Sequence, residues 1–140
     1  MRIAVGLLWM AVLAAYDVRQ RRLPNWLTLP GFAAIVLVAF ESGRGAAALL
    51  GAAALSVVYL LVHLVSPAAM GAGDVKLALG LGALNGCFGV DAWLLAAIGA
   101  PVLTAVIGIV ARWGWSAVTV PHGPSMCAAS AVALAVIQLP

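Results

Sequence analysis

Apolar residues fill this chain in six blocks, at 3–16, 26–40, 46–65, 75–88, 92–111 and 125–139. Between them lie RQRRLPN, ESGRG, SPAAMGAG and NGCFGVD, then, after a stretch holding Arg112, Trp113 and Trp115, TVPHGPS. These interruptions carry the charges, prolines and glycines that end helices. Asn25, at the end of the first interruption, has the side chain of a helix cap. Several blocks approach the roughly 20 apolar residues of a membrane helix, and shorter ones are tolerated inside a bundle. The pattern predicts six helices.

Composition decides their solvent. The chain has 140 residues, 66% of them hydrophobic and only 8% charged, where a soluble domain is usually about a quarter charged. So few charges cannot cover a surface, and bilayer is the natural medium. Backbone groups in lipid must be satisfied within their own segment, which favours helices over strands. The expectation is an all-α, polytopic membrane protein with six transmembrane helices, residues 1–140 forming one domain. The first block, MRIAVGLLWMAVLAA, resembles a secretory signal. Arg19, Arg21 and Arg22 follow it at once and resist translocation, so it reads as a retained helix. Cys87 and Cys127 sit in separate apolar blocks and read as small buried hydrophobes. No metal site or cofactor is called for, and there is no basic surface for nucleic acid.

Charge sets the orientation. With the N-terminus outside, Arg19, Arg21, Arg22, Lys76 and Arg112 fall on the cytoplasmic side, and only Arg2 and Arg44 on the other. Trp26, Trp113 and Trp115 then sit near the inner interface and Trp93 near the outer one, while Trp9 falls mid-span. There are four acids: Asp17, Glu41, Asp74 and Asp91. Asp17 ends the first helix and Asp74 opens the fourth. Two full spans lie between, so both return to one membrane face, the cytoplasmic one in this orientation. Glu41 and Asp91 land on the opposite face.

Two nearby carboxylates cannot both ionise cheaply and share a proton. The ionised one can activate water while the protonated one polarises a carbonyl. Gly71 and Gly73 lack side chains and would let a substrate backbone approach Asp74. Each residue also has a plainer reading. Asp74 fits a helix cap, Asp17 an interfacial charge offset by Arg19 or Arg21, and Lys76 a snorkelling lysine.

The motifs themselves resemble a known family. GAGDVKL, residues 71–77, is similar to the Gly-x-Gly-Asp motif of the type IV prepilin peptidases, including the Lys two residues after the Asp. DVRQRRLPN, residues 17–25, resembles that family's first aspartate motif, in which an Asp precedes Leu-Pro-Asn. The order and the placing on the first and fourth helices match the short members with six spans. The resemblance implies an intramembrane aspartic endopeptidase. It would remove the basic leader from type IV pilin-like precursors, of Flp/Tad or preflagellin type, at the cytoplasmic face of the cell membrane. Asp17 and Asp74 would be the catalytic pair, with Gly71, Gly73, Lys76, Pro24 and Asn25 as motif residues. The partners would be the precursor and the bilayer. VPHGPS, residues 120–125, resembles the family's apolar-Pro-aromatic-Gly-Pro element, with His122 in the aromatic's place. It reads as a structural turn around Pro121 and Pro124. Long members carry a four-cysteine element and also methylate the new pilin terminus. This chain has two cysteines, so cleavage is expected and methylation is not.

The remaining polar residues point to packing. His63 reads as interfacial, near enough to neighbour the pair. Asn85 is placed to hydrogen-bond between helices. Ala78, Gly82 and Gly86, and likewise Ala100, Thr104 and Gly108, form rows at four-residue spacing that admit close helix approach. Pro30 and Pro101 mark kinks. A zinc protease motif is absent, and neither Ser125 nor Cys127 with His122 sits in a recognisable nucleophile motif. Two other classes stay open: a proton-coupled small transporter, which would place its acids nearer the midplane, and a structural membrane subunit of a pilus or secretion assembly, which would need neither carboxylate.

Overall fold

The computed structural model describes residues 2–114 and 120–140. These residues form six helices: α1 (Arg2–Gln20), α2 (Asn25–Glu41), α3 (Gly45–Val65), α4 (Ala72–Cys87), α5 (Val90–Gly114) and α6 (His122–Gln138). The fold is all-helical, as the apolar blocks predict. Trp115 and Thr119 lie outside the described residues. Three helices, α1, α3 and α5, are long and apolar enough to cross a membrane. α2 and α6 have 17 residues and α4 has 16. At 1.5 Å per residue α4 is about 24 Å long, less than the roughly 30 Å of a hydrocarbon core.

α4 is the central helix. It packs on α2, α3, α5 and α6, while α1 lies against α6 and α2. Leu77, Ala78, Leu81, Ala83 and Asn85 of α4 are shielded almost completely. Large apolar side chains such as Leu50, Leu61, Leu64 and Ile98 face outward instead. In lipid, burial of Leu gains little, and helices associate through close packing of small residues. The α3–α4 contact shows this. A Cβ on Gly51 would strike the Gly82 carbonyl, and one on Gly86 would lie 2.6 Å from the Ala47 carbonyl oxygen. The row of Ala78, Gly82 and Gly86 is therefore a backbone-to-backbone seam. The second row is only partly used: Ala100 is buried, but a Cβ on Gly108 would meet open space.

Indole and amide groups tie the helices. Trp9, the mid-span residue, donates from Nε1 to the Leu27 carbonyl at 2.9 Å. That carbonyl lies three residues before Pro30, where the ring disturbs the backbone ladder. Trp93 donates to the Gly51 carbonyl at 3.0 Å, so its indole is engaged between α5 and α3. Asn85 Nδ2 donates to Ser130 Oγ at 3.0 Å, joining α4 to α6. Pro30 and Pro101 both lie inside helices that continue past them.

The helices extend beyond their apolar blocks. α1 continues through Asp17 to Gln20 and closes at Arg21, which takes a left-handed φ of 51°. Pro24, with φ −69° and ψ 135°, is the N-cap of α2, so Asn25 is the first helical residue and not the cap. α4 and α6 begin at Ala72 and His122, ahead of their apolar blocks, because Gly71 and Pro121 in extended conformation supply the N-caps.

Candidate active site

The end of the bundle where α1 finishes and α2, α4 and α6 begin gathers most of the chain's chemistry. Asp17 sits in the last turn of α1 and is buried. Its Oδ2 accepts a hydrogen bond from the Gly123 N–H at 3.0 Å. Gly123 lies in the first turn of α6, where backbone N–H groups have no partner inside the helix. The positive end of α6 thus meets the Asp17 carboxylate. No side chain fits at Gly123, because a Cβ there would collide with that carboxylate.

Asp74 occupies the third helical position of α4, one turn after the Gly71 N-cap. The Gly71 N–H is bonded back to its carboxylate, the reach-back arrangement of a capping box. A helix-capping role for Asp74 is therefore present, though not as the N-cap itself. Gly73 has a different reason for lacking a side chain: a Cβ there would stand 3.3 Å from Leu23 Cβ. The Arg21 turn directs buried Leu23 onto the start of α4. Lys76 Nζ donates to Asn25 Oδ1 at 2.7 Å. The two sequence motifs thus meet in space, with Leu23 against Gly73 and Asn25 on Lys76. Lys76 is tethered across helices and is no simple snorkelling lysine.

Asp17 and Asp74 lie within reach of each other's charge. Cys127 of α6 lies within reach of both, and Tyr59 of α3 within reach of Asp74. Arg21 is the cation nearest Asp17 in effect. Behind this pair runs a chain of hydrogen bonds. Tyr59 Oη is 3.0 Å from His122 Nε2, His122 Nδ1 is 2.6 Å from Thr104 Oγ1, and Thr104 Oγ1 donates to the Ala100 carbonyl at 3.0 Å. Both ring nitrogens of His122 are thereby engaged. Ser125 Oγ has no hydrogen-bond partner among the described residues, so no Ser–His pair exists there. His63 turns elsewhere, its Nδ1 2.6 Å from the Met70 carbonyl oxygen, and braces the loop that delivers Gly71.

A model of the type IV leader peptidase family matches residues 4–109. The chain belongs to that family. No curated protein matches the chain, and no solved structure does. Both aspartates lie inside the stretch matched by the peptidase family, whereas the α6 residues that face them lie beyond it.

The structure brings Asp17, Asp74, Gly71, Gly73, Lys76, Pro24 and Asn25 to one end of the bundle. Sequence reasoning missed three participants. Gly123 was read as part of a turn, yet its N–H holds Asp17. Tyr59 sits in an uninterrupted apolar helix with nothing local to mark it. The spacing of Thr104 marks it for packing, whereas its hydroxyl is bonded to His122. Only Gly123 left a signal: a Gly flanked by prolines just before an apolar block marks a helix start with exposed N–H groups.

Proposed function

We propose that this protein is an intramembrane aspartic endopeptidase with Asp17 and Asp74 as its catalytic pair. Six membrane crossings, three of them by the shorter helices packed in the bundle, put both aspartates at the cytoplasmic face of the cell membrane. The substrate is a type IV pilin-like precursor, of Flp/Tad or preflagellin type, and the bond cut is the one that frees its basic leader. The observation that carries this reading is that two carboxylates from helices far apart in sequence lie within reach of each other's charge, in a chain of a leader peptidase family.

In this mechanism the pair holds one proton. The ionised carboxylate takes a proton from water as the oxygen attacks the scissile carbonyl, and the protonated one donates to the carbonyl oxygen. The tetrahedral intermediate collapses as a carboxyl proton passes to the leaving amine. Metal and cofactor have no part in it. Gly71, exposed and free of a side chain, leaves the Asp74 side open to an extended substrate backbone.

The test is cleavage in membranes. A C-terminally tagged pilin-like precursor from the same genome is co-expressed with wild type, Asp17→Asn, Asp74→Asn or Asp91→Asn, and leader loss is read by mass. Exposed Asp91 is the control. Cleavage lost in the first two variants and kept in the third, at equal protein abundance, supports the pair. Cleavage that persists without Asp74 rejects it and returns the transporter and structural-subunit readings.

A further inference from the structure

The start of α6 is fixed from other helices. Its N-cap, Pro121, makes no side-chain cap hydrogen bond, and Pro124 in the first turn has no N–H to give. The Gly123 N–H finds its acceptor on α1, at Asp17 Oδ2, 3.0 Å away. One residue earlier, His122 is gripped from two sides. Tyr59 Oη of α3 stands 3.0 Å from Nε2, and Thr104 Oγ1 of α5 stands 2.6 Å from Nδ1. A hydroxyl can donate or accept, so both contacts form whichever ring nitrogen carries the hydrogen. The Tyr59 and His122 rings also lie against each other, with centroids 5.6 Å apart and planes tilted by 40°. α6 packs along α5, α1 and α4, and Tyr59 reaches it from α3.

We propose that His122 is a positioning residue for the proposed peptidase reaction: clasped by Tyr59 and Thr104, it fixes the first turn of α6 so that the Gly123 N–H stays on the Asp17 carboxylate. The inference rests on the aspartic peptidase reading. His122 acts through the backbone that joins it to Gly123, not by contact with the reacting atoms.

The geometry leaves little slack. His122 and Gly123 are consecutive residues of one helical turn, so a shift of α6 that breaks the clasp carries the Gly123 N–H with it. Asp17 is buried in the last turn of α1, and its carboxylate already fills the space where a Gly123 Cβ would stand. A hydrogen bond weakens steeply once donor and acceptor lose their line.

The test reads the Gly123 amide directly. His63 precedes Leu64, so His122–Gly123 is the chain's one His-Gly step. With histidine labelled at its carbonyl carbon and glycine at its nitrogen, a single NMR cross-peak reports that amide in detergent. Tyr59→Phe and Thr104→Val each remove one hydroxyl, keep His122 and nearly keep volume. Asp17→Ala marks where the amide proton resonates without its partner. In each single variant the proton should move upfield toward that position, and further in the double. Precursor cleavage by the same purified proteins should lose kcat by about 10-fold in each single variant and about 100-fold in the double, with KM little changed, the scale at which misplacing a reacting group counts. A merely structural role would lower the melting temperature and leave the cross-peak of the folded protein in place. A Gly123 amide unmoved in the double variant overturns the inference, as does an amide that moves while kcat stays at the wild-type value. Cleavage that survives Asp17→Asn overturns the peptidase reading itself, which the amide shift does not test.

Discussion

At the scale of single residues, Gly123 is the tightest point of the site. Its N–H is held by Asp17, and any Cβ would occupy the space of that carboxylate. Gly123→Ala must push Asp17 or the start of α6 aside, and overpacking of this kind costs about 1–3 kcal/mol. The expected outcome is loss of precursor cleavage by at least about 100-fold, since small misplacements of a reacting group carry that penalty. The protein should still accumulate in the membrane. Near-normal cleavage by Gly123→Ala would show that the Asp17–Gly123 bond does not matter in the working enzyme. The placing of Asp17 and Asp74 at one end of the bundle was legible in the sequence from motif and span parity independently, and that of Lys76 and Asn25 from the motifs alone. Tyr59 was not, because its contact with α6 is recorded by no local pattern, and for Gly123 the local pattern marks a helix start without naming its partner on α1.

At the scale of elements, the α3–α4 seam holds the central helix in place. Gly82 and Gly51 approach each other at backbone distance, so Gly82→Val should separate the two helices. It should lower the detergent melting temperature sharply, by a cost of about 1–3 kcal/mol or more. Gly108→Ala is the matched contrast. It lies in open space inside α5, where replacing Gly by Ala gains about 1 kcal/mol of helix propensity. A melting temperature unchanged in Gly82→Val would mean that the seam is looser than drawn. Four-residue spacing identifies both rows equally well. Which row is a seam depends on what the neighbouring helix presents, and that is a tertiary property.

At the scale of the whole molecule, the proposed six crossings would put Arg22 and Asp91 on opposite sides of the membrane. Both are exposed. In a Cys87→Ala, Cys127→Ala background, Asp91→Cys should react with an impermeant maleimide on intact cells. Arg22→Cys should react only after permeabilisation. The reverse pattern would turn the aspartate pair outward, and labelling of both from one side would refute the crossing number. The shorter helices α2, α4 and α6 make this measurement informative, because length alone does not show that they cross.

From the sequence alone came the helical class, the expectation of a membrane as solvent, the six apolar blocks, and the placing of Asp17 and Asp74 at one end of the bundle. These follow from composition, from the need to satisfy backbone groups in lipid and from counting spans, all of which are one-dimensional properties. Tertiary structure alone decided that α4 is the buried centre, that α6 turns its first N–H groups onto Asp17, and that His122 links Tyr59 to Thr104. The reason is physical. In lipid a uniformly apolar helix has no polar face to announce which side is buried, so neighbours are chosen by close packing and by a few hydrogen bonds between helices.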